Sequence, residues 1–215
     1  MKSNTPEKIK WSGTILSMQP RTNVWRYRCD NRTHSHTGYN VFLDGNANGE
    51  ARQFSVAISE KQQQAVGFHI GDEASGTGWT KKYPEWEYAD YYRAGALRRV
   101  KPNDKPVDES HAPPWVGGLP DMETYELRGC RVLSKACWKG KCFKCKWSTM
   151  ANVTIEYDWG VKQKWRFESF CYGPKSCKLY KRGADPMIPY KGDGSTPDSH
   201  GGFDEIFTER RGWDE

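Results

Sequence analysis

The sequence predicts a mainly β protein: a strand-rich first half with one short helix, then a small β-hairpin unit held together by metal. Three observations predict it. Apolar and polar residues alternate in short runs through the first hundred residues, the period of a half-buried strand. Five of the seven cysteines, Cys137, Cys142, Cys145, Cys171 and Cys177, lie within 41 residues, spaced C-x4-C-x2-C…C-x5-C. Charge also changes sharply along the chain. Residues 1–128 carry a net +1, residues 129–191 a net +10 and residues 192–215 a net −5, within an overall +6.

Taken in order, residues 9–18 place Ile9, Trp11 and Ile15 in an alternating run compatible with a strand. Residues 24–29 alternate more cleanly, with Val24, Arg26 and Arg28 on one side and Trp25, Tyr27 and Cys29 on the other. Residues 36–44 and 53–59 are two more strands, joined by the turn-rich link GNANGE. Ser59 is the candidate N-cap of a short helix, and Gly67 ends it. Residues 68–79 and 96–100 supply two final strands, with a Tyr-rich insertion between them.

This order of strands, short helix and two further strands resembles an OB-fold, a five-stranded Greek-key barrel with a helix between its third and fourth strands. Ile70-Gly71-Asp72 is similar to the turn that begins the fourth strand in many such barrels. The resemblance is architectural and covers residues 8–101; small SH3-like barrels and other β-meanders share the pattern. It implies a binding face on strands two and three, for which Arg26, Arg28, Tyr39, Phe42, Arg52 and Phe54 are the candidate lining. The net +1 of this half argues against strong nucleic-acid binding by the barrel alone. The insertion KKYPEWEYADYYR either covers the barrel end or contacts a partner.

Composition divides the chain into an OB-like domain at 1–101, a Pro-rich linker at 102–121, a basic cysteine-rich domain at 122–191 and an acidic tail at 192–215. The linker holds five of the 12 prolines and no apolar periodicity. The start of the chain, MKSNTPEKIKW, is polar, and no apolar run is long enough to span a bilayer, so the expectation is a cytoplasmic protein without a membrane partner. In that compartment clustered cysteines point to metal and away from disulfides, and seven is an odd number.

Cys142-Phe-Lys-Cys145 is a C-x2-C knuckle, offering two sulfurs from one turn to a tetrahedral metal. Cys171 to Cys177 (CYGPKSC) is a looser second one, bent at Gly173-Pro174. Residues 153–157 and 161–170 between them form a hairpin turning at Asp158-Trp159-Gly160. The unit resembles a zinc ribbon, with Cys142, Cys145, Cys171 and Cys177 as ligands and structural zinc as the cofactor. The rival is an iron–sulfur cluster. Cys137, Cys142, Cys145 and Cys171 resemble the plant-type ferredoxin spacing, down to Gly140 before the second cysteine. Cys137 is the alternative ligand that separates these readings. Cys29 and Cys130 stand apart and read as small buried hydrophobes.

Cations and rings interleave around the cysteines: Lys139, Lys141, Lys144, Lys146 and Trp147, then Lys164, Trp165 and Arg166. Lysines neutralise phosphates and indoles stack on bases, the pairing expected of single-strand binders. The bland reading is a solvated lysine face over a tryptophan-packed core, and Trp165 reads first as a core residue. His34 and His36 read as surface histidines, while His69 and His111 have no companion motif. No P-loop, G-x-G-x-x-G, H-E-x-x-H or G-x-S-x-G is present, so nothing in the sequence points to catalysis. The domain pairing resembles that of replication protein A-like proteins, and the CYGPKSC run and acidic tail are similar to those of uncharacterised prokaryotic proteins. The expectation is a nucleic-acid-binding protein. An iron–sulfur redox or sensing protein and a protein–protein adaptor are the alternatives.

Overall fold

The computed structural model describes residues 4–27, 32–105, 113–157, 162–184, 187–190 and 194–197. The protein is mainly β. Strands β1 (Lys8–Tyr27), β2 (Arg32–Ala47) and β3 (Glu50–Ile58) precede helix α1 (Glu60–Val66), and β4 (Glu73–Thr80) and β5 (Tyr91–Lys101) follow it. These five close into a ring, in the order β1-β2-β3-β5-β4-β1. All contacts in the ring are antiparallel except the single β3–β5 pairing, which is parallel.

Local chemistry explains the connections. Asn48 and Gly49 both take positive φ, 55° and 91°, which is what a two-residue hairpin turn between right-twisted strands requires. Ser59 caps α1 by a reciprocal capping box with Gln62, and Gly67 ends the helix at φ 61°. Asp72 then anchors the turn into β4. Its carboxylate is fully buried and accepts from the backbone N–H of His69 (2.7 Å) and Asn103 (2.8 Å) and from Arg99 (3.0 Å).

The two segments at 9–18 and 24–29 are parts of one 20-residue strand. Register irregularities at Ile15/Ser17 and Pro20/Thr22 bend β1, and the gap between the two segments is the second of these bulges and not a loop. The bend gives β1 two partners besides β2. Its first half pairs with β4 over Lys8–Thr14, and its second half pairs in parallel with β7 over Asn23–Tyr27. At the ring's crowded corner Gly13 lies opposite Gly45, and a Cβ on Gly45 would sit 2.2 Å from the Ser12 carbonyl oxygen.

Beyond the linker come α2 (Met122–Arg128), β6 (Arg131–Val132) and α3 (Lys135–Cys137), which continues as a π-helical turn (Trp138–Cys142). The hairpin of β7 (Ser148–Tyr157) and β8 (Lys162–Cys171) follows, and β9 (Met187–Tyr190) and β10 (Gly194–Pro197) pair separately. Composition separates the two halves in sequence; in space the sheet runs on from β1 through β7 and β8 to β6. One apolar cluster joins Trp11, Val41 and Phe54 of the ring to Ala151, Val153, Ile155 and Phe170 of the hairpin. Among the described residues no helix is long and apolar enough to cross a membrane. The hairpin tip at 158–160, Cys29, His111 and most of the acidic tail lie outside the described residues.

Candidate metal centre and adjoining aromatic cleft

The cysteine turn is docked onto the ring by β1. Gln19, fully buried, donates to the Phe143 carbonyl (2.6 Å) and to the Ser148 hydroxyl (3.0 Å), and accepts from the Trp138 indole N–H (3.0 Å). Ser17 also donates to the Phe143 carbonyl, and Ser148 donates to the Cys142 carbonyl at 2.6 Å. Such fully partnered buried groups specify one docking geometry, because a shifted turn would leave them desolvated and unbonded.

Cys137, Cys142, Cys145 and Cys171 are all buried, at 5–6 % exposure, in one cluster with Phe42, Leu133, Trp138 and Met150. Cys177 is only partly buried. Cys137 Sγ and Cys142 Sγ lie 3.8 Å apart. Cys145 stands beside the strand end that carries Cys171, since Ser148 is the register partner of Cys171. Burial pushes the Cys142 thiol up, and the nearby Cys137, Cys145 and Cys171 add to it. Burial likewise pushes Cys145 up to about 12, against the pull of the Trp147 and Trp115 backbone N–H groups, with Cys171 and Cys177 contributing. The Gly173 N–H points at Cys171 Sγ, 3.4 Å away. Arg131 holds the CYGPKSC loop: its guanidinium donates to the Pro174 carbonyl at 2.7 Å, stacks 4.0 Å from the Tyr180 ring centre and reaches within 4.0 Å of Cys171 Sγ. No three Cys, His, Asp or Glu side chains among the described residues already surround a common point.

Beside this cluster lies a cleft of about 660 Å³. Phe42, Gln53 and Ser55 of β2 and β3 form one wall, Lys81, Tyr88 and Asp90 of the β4–β5 link a second, and Trp138, Lys139, Phe143 and Phe167 the third. The rings meet edge to face: Phe42–Phe143 at 4.9 Å, Tyr88–Phe167 at 5.2 Å and Tyr88–Trp138 at 5.9 Å between centroids. Phe167 and Trp165 share a face of β8, and Trp165 carries the aromatic surface onward to Trp86 (5.5 Å) and Tyr83 (4.4 Å beyond). Trp86 is 43 % exposed.

The residues anticipated from sequence are distributed unevenly. Lys139, Lys141, Lys144 and Lys164 are exposed, with Lys139 on the cleft rim. Lys146 donates to the Gly118 carbonyl at 2.8 Å. Trp147 is half-buried between Tyr125 (5.7 Å) and the Arg128 guanidinium (4.4 Å), so it braces the α2 packing and offers no open stacking face. Arg26 is corrected outright: it is fully buried, paired with Glu168 at 2.8 Å and lying over Phe170 at 5.8 Å, because β1 turns its far half toward β8. Arg52 stays exposed and donates to the Tyr91 hydroxyl at 2.8 Å. Arg28 lies outside the described residues. Phe54 and Tyr39 point into the core, and only Phe42 of the three rings expected on the face packs against the cysteine turn.

His36 corrects the surface reading of the two histidines. It packs against Tyr172 (5.1 Å) and Tyr125 (5.7 Å), its Nδ1 meets the Thr22 hydroxyl at 3.0 Å, and burial followed by the charge of His34 lowers its pKa to about 3. His34 lies 3.4 Å from the buried Cys130 thiol. Sequence reading passed over Trp138, Phe143 and Phe167, while Lys81 and Tyr88 lie in the insertion expected to cover the barrel end or contact a partner. A signal existed for two of them, since Trp138 and Phe143 each directly follow a cysteine of the cluster.

Fold and site thus define a mainly β protein with a five-stranded ring and an aromatic cleft walled by a cysteine-rich turn. Comparison with family models, with curated proteins and with solved structures returned no match.

Proposed function

We propose that the protein binds single-stranded nucleic acid in the cleft between the ring and the cysteine-rich turn. The observation that carries this reading is the cleft's make-up: accessible rings of Tyr88, Phe143 and Phe167, continued by Trp165 and Trp86, with Lys81 and Lys139 at the rim and Lys141, Lys144 and Lys164 in the same basic segment. Rings stack on bases of any sequence while ammonium groups neutralise phosphates. The ring is read as an OB-type barrel, supported by its strand order and by α1 between β3 and β4. In such barrels strands two and three and the β4–β5 loop form the oligonucleotide site, which is where this cleft lies. The net +10 of residues 129–191 supplies the attraction that the barrel alone lacks.

Fluorescence anisotropy of labelled dT12 and rU12 tests the reading. Binding is expected to weaken steeply with salt. Replacing Lys139, Lys141 and Lys144 together by Ala is expected to lower the slope of log affinity against log salt by about 0.7 for each lost phosphate contact. Tyr88→Ala or Phe143→Ala is expected to cost about 1–3 kcal/mol of binding at every salt concentration. No binding at low salt, or binding indifferent to all these changes, would sink it.

The 3.8 Å approach of Cys137 to Cys142 favours a second reading, an iron–sulfur protein with a redox or sensing role. It requires a coloured protein after anaerobic purification; a colourless one removes it.

A further inference from the structure

We propose that Cys137, Cys142, Cys145 and Cys171 hold one thiolate-ligated metal centre, with Cys177 outside it. This stands apart from the nucleic-acid reading. Two sulfurs bound to one tetrahedral metal at about 2.3 Å are about 3.8 Å apart, the edge of the tetrahedron. Cys137 and Cys142 already have that spacing.

The backbone explains how a C-x4-C pair reaches it. In an α-helix residues five apart are rotated by roughly 140° from each other, on divergent faces. Here the chain leaves α3 at Cys137 and widens into the π-helical turn Trp138–Cys142, whose i→i+5 bonding brings the two cysteines together. The next helical step ends at Cys145, whose N–H bonds the Cys142 carbonyl at 2.9 Å. The β7–β8 register then returns Cys171 to the same place.

Cys171 has donors aimed at its sulfur: the Gly173 N–H at 3.4 Å, with the Arg131 guanidinium at 4.0 Å. Donors aimed at sulfur orient metal ligands as outer-shell partners do elsewhere. All four cysteines sit in one apolar cluster. Cys177 stands near Cys145 but is only partly buried. The centre closes by side-chain rotation. Cys137 leaves its present acceptor, the Leu179 carbonyl at 3.0 Å, and each thiol gives up its proton to solvent as the metal binds.

A single zinc ion and a binuclear iron–sulfur cluster share this four-thiolate chemistry. Metal and sulfide analysis of the full chain purified without oxygen distinguishes them. One zinc per chain and no colour, or two irons and two sulfides with visible absorption, each supports the centre. Less than a tenth of an equivalent of metal, with no uptake of added Zn(II) or Co(II), overturns it. Cys177→Ser is expected to keep full stoichiometry, and Cys137→Ser to lose at least tenfold in metal retention. The reverse pattern overturns the ligand set. If Cys137→Ser does not fold, peptide-mapped alkylation of the wild type decides. Cys137, Cys142, Cys145 and Cys171 should react at least tenfold more slowly than Cys177 while metal is bound, and should lose that protection after stripping. Equal labelling of Cys137 and Cys177 in the loaded protein overturns the assignment.

Discussion

Asp72 shows how one carboxylate can organise a turn. Burial alone would raise its pKa, but hydrogen bonds from Arg99 and from the N–H groups of Asn103 and His69 outweigh that and hold the group below its ordinary value. A carboxylate depressed in the folded state contributes stability above its unfolded pKa of about 3.9, and that contribution is lost as pH falls through the folded value. Asp72→Ala is expected to cost about 2–4 kcal/mol at neutral pH, read by urea unfolding, because Arg99 and two backbone donors lose their acceptor. His36 acts over a different window. Its folded value of about 3 lies below the unfolded value of about 6.5, so stability is fully present above 6.5 and falls as pH drops from there toward 3. His36→Gln, neutral at every pH, is expected to flatten that part of a thermal-unfolding profile; an unchanged acid limb would count against this role.

Among the elements, the π-helical turn has the sharpest requirements. Its length fixes which side chains meet: Cys137 and Cys142 turn toward each other while Trp138 and Phe143 wall the cleft. Gly140, at the outer side of the turn, has open space where a Cβ would be and no positive φ. Gly140→Ala is therefore expected to leave metal content unchanged and to shift stability by no more than about 1 kcal/mol, in the stabilising direction. Deleting Gly140 instead shortens C-x4-C to C-x3-C. It is expected to reduce bound metal at least tenfold and to weaken oligonucleotide binding, since both wall rings move with the turn. Metal analysis and anisotropy on the two variants measure the contrast.

For the whole molecule, the shared strand β1 matters most. The ring and the hairpin divide its length between them, and the buried Arg26–Glu168 pair ties its far half to β8 at 2.8 Å. Unfolding is accordingly expected to be one transition, coincident by far-ultraviolet dichroism and tryptophan fluorescence. Two resolved transitions would show that the hairpin unit stands on its own. Glu168→Ala should destabilise the whole transition by about 3–5 kcal/mol, because it removes the carboxylate that pairs with both the buried Arg26 and Arg166.

How much of this was legible follows the range of the interactions. Ser59 and Gly67 as helix ends, the Asn-Gly turn and the hairpin between the cysteine turns were readable, because each depends on neighbours a few residues away. The concentration of lysines around Cys137–Cys145 was readable for the same reason. Other features depended on contacts farther along the chain, more than a hundred residues apart for all but the bulges. These are the bulges that make β1 one strand, its parallel pairing with β7, the inward turn of Arg26 and the docking of Phe143 on Gln19. Alternation says that a strand has two faces, but which face is buried depends on what packs against it. Sequence therefore established a mainly β chain with a basic cysteine cluster. Folding chose which cysteines meet, which cations remain outside and where the aromatic cleft opens, because those are properties of surfaces brought together and not of any one segment.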